Sequence, residues 1–122
     1  MLSRAADAIY WMNRYVERAE NIARFIQVNL HLSLDQPMQM KSDQWAPLVK
    51  VTGDYERFLE HYGEATQESV IDFLTFDRQY PNSIISCLDR ARENARSVRQ
   101  IISSEMWQQI NTFYLMVAGV HK

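Results

Sequence analysis

The sequence predicts an all-α fold, an antiparallel bundle of four to five helices in which the first and the fourth are long. Three observations carry this prediction. Apolar residues recur three and four positions apart over most of the chain, only three Gly and three Pro interrupt 122 residues, and Ser or Thr stands where several of the apolar runs begin. A many-stranded fold needs a turn roughly every ten residues, and so few turn-forming residues cannot supply them.

The first helix is read from Leu2, Ile9, Val16, Ala23 and Leu30, which fall every seventh residue, with Ala5, Met12, Ala19 and Ile26 at the complementary spacing. That pattern lines one face of a long amphipathic helix. Ser3 is the expected N-cap and Pro37 the end marker, giving about nine turns or fewer. A second stripe, Trp11, Tyr15, Ile22 and Phe25, runs beside the first, so this helix needs cover on two sides. If the chain does not supply that cover, the stripe is an interface with another copy or another protein.

Gln36 to Asp43 shows no clear period and is read as a loop. Trp45, Leu48 and Val49 suggest a short helix, interrupted at Thr52-Gly53-Asp54 and resumed by Tyr55, Phe58, Leu59 and Tyr62 until Gly63 stops it. Thr66 can cap the next segment, which carries Val70, Ile71, Phe73 and Leu74 and ends at Tyr80-Pro81-Asn82. Asn82 or Ser83 can then cap the fourth, long helix along Ile84, Leu88, Ala91, Ala95, Val98 and Ile102. Ser103-Ser104-Glu105 reads as a break and a new cap before Met106, Ile110, Phe113, Tyr114 and Val117, with Gly119 as the terminator. Ala19 with Ala23, and Ala91 with Ala95, put small residues one turn apart on the first and fourth helices, which should therefore pack closely.

Hydrophobic residues at 47% and charged residues at 23% are those of a single globular domain over 1–122. A net charge of -2 gives no global attraction to nucleic acid or to an anionic membrane, so neither is expected as a partner. No stretch approaches the ~20 apolar residues of a membrane span, and Met1 to Arg4 does not open a secretory leader. With Cys87 as the single cysteine, the expected compartment is the cytoplasm.

Candidate chemistry is sparse. On the first helix Asn13, Glu17, Glu20 and Arg24 share a narrow arc, and Glu20 and Arg24 have the favourable order for an intrahelical ion pair. On the fourth, Arg92, Arg96 and Arg99 lie to one side near Asp89 and Glu93, while Arg90 points nearly opposite. The group reads either as a carboxylate or phosphate clamp or as a self-satisfied salt-bridge network. No Glu-x-x-His occurs, so no di-metal bundle site is expected. Gly53, Gly63 and Gly119 are isolated, so no phosphate-cradling loop and no cofactor is expected. Cys87 beside Leu88 reads as a buried, inert thiol.

Three stretches carry a recognisable pattern: Leu2-Ser3-Arg4-Ala5-Ala6-Asp7 with Tyr10-Trp11-Met12 and Arg14 to Asn21; Ser83-Ile84 through Ala91-Arg92-Glu93-Asn94-Ala95-Arg96-Ser97-Val98-Arg99; and Ser103-Ser104-Glu105-Met106-Trp107 with Asn111. Together and in this order they resemble the alpha-E domain family of bacterial helical proteins. Asn13 stands where the family pattern leads one to expect glycine. The resemblance implies that the chain is the N-terminal portion of a longer alpha-E unit. It also implies a place beside ATP-grasp amide ligases and transglutaminase-like peptidases in a peptide or amide-bond synthesis or modification system. The recurring polar positions it marks as candidate substrate-binding residues are Arg14, Glu17, Arg18, Glu20, Asn21 and Arg24, then Arg92, Glu93, Asn94, Arg96, Arg99, Glu105 and Asn111.

Two functions follow as expectations. The first is a non-catalytic interaction module, self-associating or docked on the ligase or peptidase through Trp11, Tyr15, Ile22 and Phe25. The second is an enzyme or enzyme subunit that holds a carboxylated or peptide substrate between helices one and four with Glu17, Glu20, Arg92 and Arg96. No catalytic residue is assigned under either.

Overall fold

The computed structural model describes residues 2–34 and 38–120. Its elements are α1 (Leu2–Leu34), α2 (Met38–Thr52), α3 (Tyr55–Tyr62), α4 (Gln67–Ile71), α5 (Ile84–Ser97) and α6 (Ser104–Val120), with a π-helical turn, Asp72–Phe76, continuing α4. The fold is all-α, as the periodicity predicts. The long fourth helix of the sequence reading is α5.

Local chemistry sets most of the boundaries. Thr66 caps α4 with a capping box: its Oγ1 accepts from Ser69 N at 3.1 Å, and its own N–H donates to Ser69 Oγ at 2.9 Å. Ser83 caps α5 by accepting from Ser86 N at 3.2 Å, and Ser103 caps α6 by accepting from Met106 N at 3.1 Å. Gly63 ends α3 at φ +80°, a left-handed conformation that glycine adopts without steric penalty.

Several expected boundaries shift. Met38–Asp43 belongs to α2 and is not a loop; α2 also carries Pro47 in its interior, so neither feature was readable as a helix from the pattern. The turn at Gly53 separates α2 from α3 completely, which raises the number of distinct elements. Ser3 lies inside α1, because that helix already starts at Leu2, while the expected end marker Pro37 falls outside the described residues. Val98 and Ile102 lie in the turn after α5, which ends at Ser97. Gly119 lies within α6 instead of terminating it.

α1 and α5 form the main packing pair. Met12 packs with Ala91 and Ala95, whereas Arg18, further along α1, meets Asn82 just ahead of α5, so the two helices run antiparallel. Ala19, Ala91 and Ala95 are fully buried, as the close approach of the backbones requires. α6 returns along α5: Arg99 lies over Trp107 and Arg92 over Tyr114.

A second core layer is aromatic. Phe73 stacks on Tyr80 at 4.1 Å and meets Phe58 edge-on at 5.2 Å, drawing α3 and the π turn onto α5 around buried Leu88, Trp45 and Val49. Burial of each such side chain contributes about 1.5–3 kcal/mol. The loop from Asp77 to Ser83 is thereby fixed beneath the middle of α1, where the groove described next opens.

Candidate functional site

On α1, the three-four spacing of Arg14, Arg18, Ile22 and Phe25 turns these side chains to one side of the helix, flanked by Glu17 and Asn21. Leu48, Val51 and Thr52 of α2 form the facing wall, and Leu74, Tyr80 and Asn82 lie behind them. Together they enclose a groove of about 410 Å³. One end is charged and the remainder is apolar.

At the charged end Arg18 Nη1 donates to Asn82 Oδ1 at 3.0 Å, and its guanidinium lies 5.7 Å from the Tyr15 ring. Arg90 reaches the same ring from α5 at 5.8 Å. Arg14 Nη1 stands 3.6 Å from Glu17 Oε2, with both side chains half exposed or more. Such an exposed pair contributes little to stability and leaves both groups accessible to a ligand.

Tyr80 is buried and donates its hydroxyl to Asp54 Oδ2 at 2.7 Å. Burial, then that carboxylate, push the phenol up to about 12, so it stays protonated as a fixed part of the groove's base. Burial also raises the Cys87 thiol, only partly opposed by the Arg18 and Arg90 guanidiniums, which fits an inert core thiol. Two arginines, one carboxylate and apolar walls suit recognition.

At the apolar end, Phe25 is 53% and Val51 79% exposed, although both line the groove. Tyr15 and Ile22 are half-buried against the core, while Trp11 is exposed and packs edge-on to Tyr10 at 5.3 Å. The stripe expected as an interface is therefore covered along one margin and open along the other.

The structure brings Arg14, Glu17, Arg18 and Asn21 together but disperses the other marked residues. Glu20 faces α6, beside Asn13, Gln109 and Phe113, in a small cavity of about 120 Å³. Arg92 donates from Nε to Asn111 Oδ1 at 2.9 Å and stacks on Tyr114 at 4.1 Å. Arg96 pairs with exposed Glu93 at 2.6 Å, Arg99 covers Trp107, and Asn94 donates to Arg90 O at 2.9 Å. Glu105 lies on the open face of α6, and Arg24 is exposed with no ion pair to Glu20. Arg92 on α5 and Arg99 just after it thus serve the contact with α6, Arg96 is held within its own helix by Glu93, and Arg90 turns to Tyr15 on α1. Glu17, Glu20, Arg92 and Arg96 do not form one substrate clamp.

Leu48, Val51, Thr52, Leu74, Tyr80 and Asn82 complete the groove and were not marked by sequence reasoning. Only the Tyr80-Pro81-Asn82 turn carried a signal, and it read as a helix end. Among the described residues no three His, Cys, Asp or Glu side chains gather as metal ligands, and no helix is long and apolar enough to cross a membrane.

A family model, Alpha-E, described as a predicted alpha-helical domain with a conserved ER motif, matches residues 1–122. No curated protein and no solved structure matches the chain. Glu-Arg occurs twice, as Glu17-Arg18 and Glu56-Arg57, and both arginines hold the same loop: Arg18 through Asn82, and Arg57 through the Gln79 carbonyl at 2.9 Å. With the whole chain matched, the protein belongs to the Alpha-E family.

Proposed function

We propose that this Alpha-E chain is a non-catalytic interaction module whose α1–α2 groove docks a segment of a partner protein. The observation that supports this most is the open apolar pair Phe25 and Val51 lining a groove whose other end presents Arg14. Large apolar side chains beside an arginine, ringed by polar groups, are what binding hot spots are made of. The groove offers an apolar wall and a charged end to hold a segment.

The partner class comes from the family resemblance: an ATP-grasp amide ligase or a transglutaminase-like peptidase acting in peptide or amide-bond synthesis or modification. In this reading the chain serves as one unit of a longer alpha-E arrangement, bringing the enzyme to its peptide.

The test is sedimentation velocity of the purified chain mixed with an ATP-grasp amide ligase and with a transglutaminase-like peptidase of the same source. A complex with one of them is expected, weakened about thirtyfold by Phe25→Ser, the loss of a ~2 kcal/mol hot spot. Absence of a complex with either enzyme, or a complex indifferent to both Phe25→Ser and Val51→Ser, would overturn the proposal.

A further inference from the structure

Resting on that docking reading, we infer that the groove's occupant is an acidic amphipathic helix, with apolar side chains for one end of α1 and carboxylates for the other. Trp11, Arg14, Arg18, Asn21, Phe25, Val28 and Leu32 stand alternately three and four residues apart. This is the spacing by which one helix presents a seam to a second helix. From Arg14 to Leu32 the seam spans eighteen residues, about 27 Å or five turns at 1.5 Å per residue.

The seam changes character along its length. Phe25, Val28 and Leu32 are 53%, 51% and 52% exposed, three half-open apolar layers of which Phe25 lines the groove and the other two continue beyond it along α1. Asn21 is the next layer towards the N-terminus and Arg18 and Arg14 follow it, joined on the rim by one carboxylate, Glu17, which Arg14 approaches at 3.6 Å. Arg18 gives one of the five donors of its guanidinium to Asn82. A helix in a groove reads such a surface through anchors at i, i+3 or i+4, and i+7. Here three apolar anchors must be followed by a polar group for Asn21 and then by two acceptors for Arg18 and Arg14.

That charge pattern selects against a second copy. Parallel pairing of two α1 seams sets Arg14 on Arg14 and Arg18 on Arg18. Antiparallel pairing over the full length sets Arg18 on Phe25 and Arg14 on Val28, covering guanidiniums with no acceptor. A register that joins only Phe25, Val28 and Leu32 uses three layers and leaves both arginines outside. A partner carrying carboxylates at the two arginine layers satisfies the whole seam and can pair with Arg bidentately.

The test uses a fluorescein-labelled synthetic helix of twenty residues with Leu at three successive seam positions, Gln at the fourth to face Asn21 and Glu at the fifth and sixth to face Arg18 and Arg14, beside a twin with Lys in place of Glu. Anisotropy is read with the full chain at 50 and 300 mM NaCl. The Glu helix is expected to bind at least tenfold tighter than the Lys helix, and to weaken at the higher salt. Arg14→Glu should abolish that preference, while Phe25→Ser or Val28→Ser weakens the binding of both helices. Equal binding of the two helices, or binding of neither, overturns the acidic-helix inference, as does a dimer of the chain in sedimentation equilibrium that Phe25→Ser dissolves. None of these results decides whether the ligase or peptidase docks, which the sedimentation velocity of those complexes reads separately.

Discussion

Arg18 on α1 donates to Asn82, sixty-four residues away in the chain, at 3.0 Å, and so ties the charged end of the groove to the turn that leads into α5. A hydrogen bond from a partly buried guanidinium to a neutral amide contributes more than an average one, about 1.5–3 kcal/mol. Arg18→Ala and Asn82→Ala should each lower the urea unfolding free energy by roughly 1–3 kcal/mol, and the double variant by clearly less than their sum. Additive losses in the cycle would show that the pair is not coupled.

The same turn depends on Ser83, which is buried, caps α5 through Ser86 N and donates its hydroxyl to the Asp77 carbonyl at 2.7 Å. Ser83→Ala removes a cap and one hydrogen bond to the Asp77 carbonyl, which keeps the Tyr80 N–H, and is expected to cost about 1–2 kcal/mol in thermal or urea unfolding. Thr66→Ala, which removes half of the capping box of a short, more exposed helix, should cost about 1 kcal/mol.

Ala91 is fully exchanged from solvent to core at the α1–α5 contact, opposite Met12. Ala91→Leu inserts volume where the helices have none to give, and should destabilise by about 1–3 kcal/mol. The exposed Leu115→Ala, by contrast, should stay within about 0.5 kcal/mol of the parent.

Alkaline pH should loosen the fold through its phenols. Tyr80 is held up to about 12 by burial and Asp54, and Tyr62 is raised by burial and by its hydrogen bonds to Asp72 and Asp77. An unfolded tyrosine ionises near 10, so between that pH and the folded value the unfolded state has lost a proton that the native state keeps. Stability is therefore full below about pH 10 and falls as pH rises towards 12. Tm measured from pH 8 to 12 should show the decline, and Tyr80→Phe should flatten it in part.

Helix identity was legible because burial imposes a three-four spacing that the side chains themselves display, as in Ile84, Leu88, Ala91 and Ala95. The antiparallel α1–α5 contact was legible for the same reason, since only small residues at Ala19, Ala91 and Ala95 permit it. The π turn at Asp72–Phe76 was not, because one wide turn has no period of its own. Nor was helix at Met38–Asp43, where polar residues and the nearby Pro47 mask the pattern.

The site was half legible. Arg14, Glu17, Arg18 and Asn21 lie on one helix, where spacing alone shows that they share a side. Tyr80 and Asn82 join them because Phe73 stacks on Tyr80 and Arg18 reaches Asn82 from sixty-four residues away, contacts with no trace in the helical spacing. The same limit explains the expected clamp of Glu17, Glu20, Arg92 and Arg96: helix pairing was foreseen, but not that α6 would take up Arg92 through Asn111 and Tyr114.

The central claim, that the α1–α2 groove docks a partner, is met most directly by photo-crosslinking. A benzophenone side chain is placed singly at positions 25 and 51 in the groove, and at 59 and 115, which are exposed and lie outside it. Each variant is then irradiated with the purified ligase and with the peptidase. Crosslinks to one of these enzymes are expected from 25 and 51 and none from 59 or 115; crosslinks confined to 59 or 115, or from no position, would rule out docking in the groove.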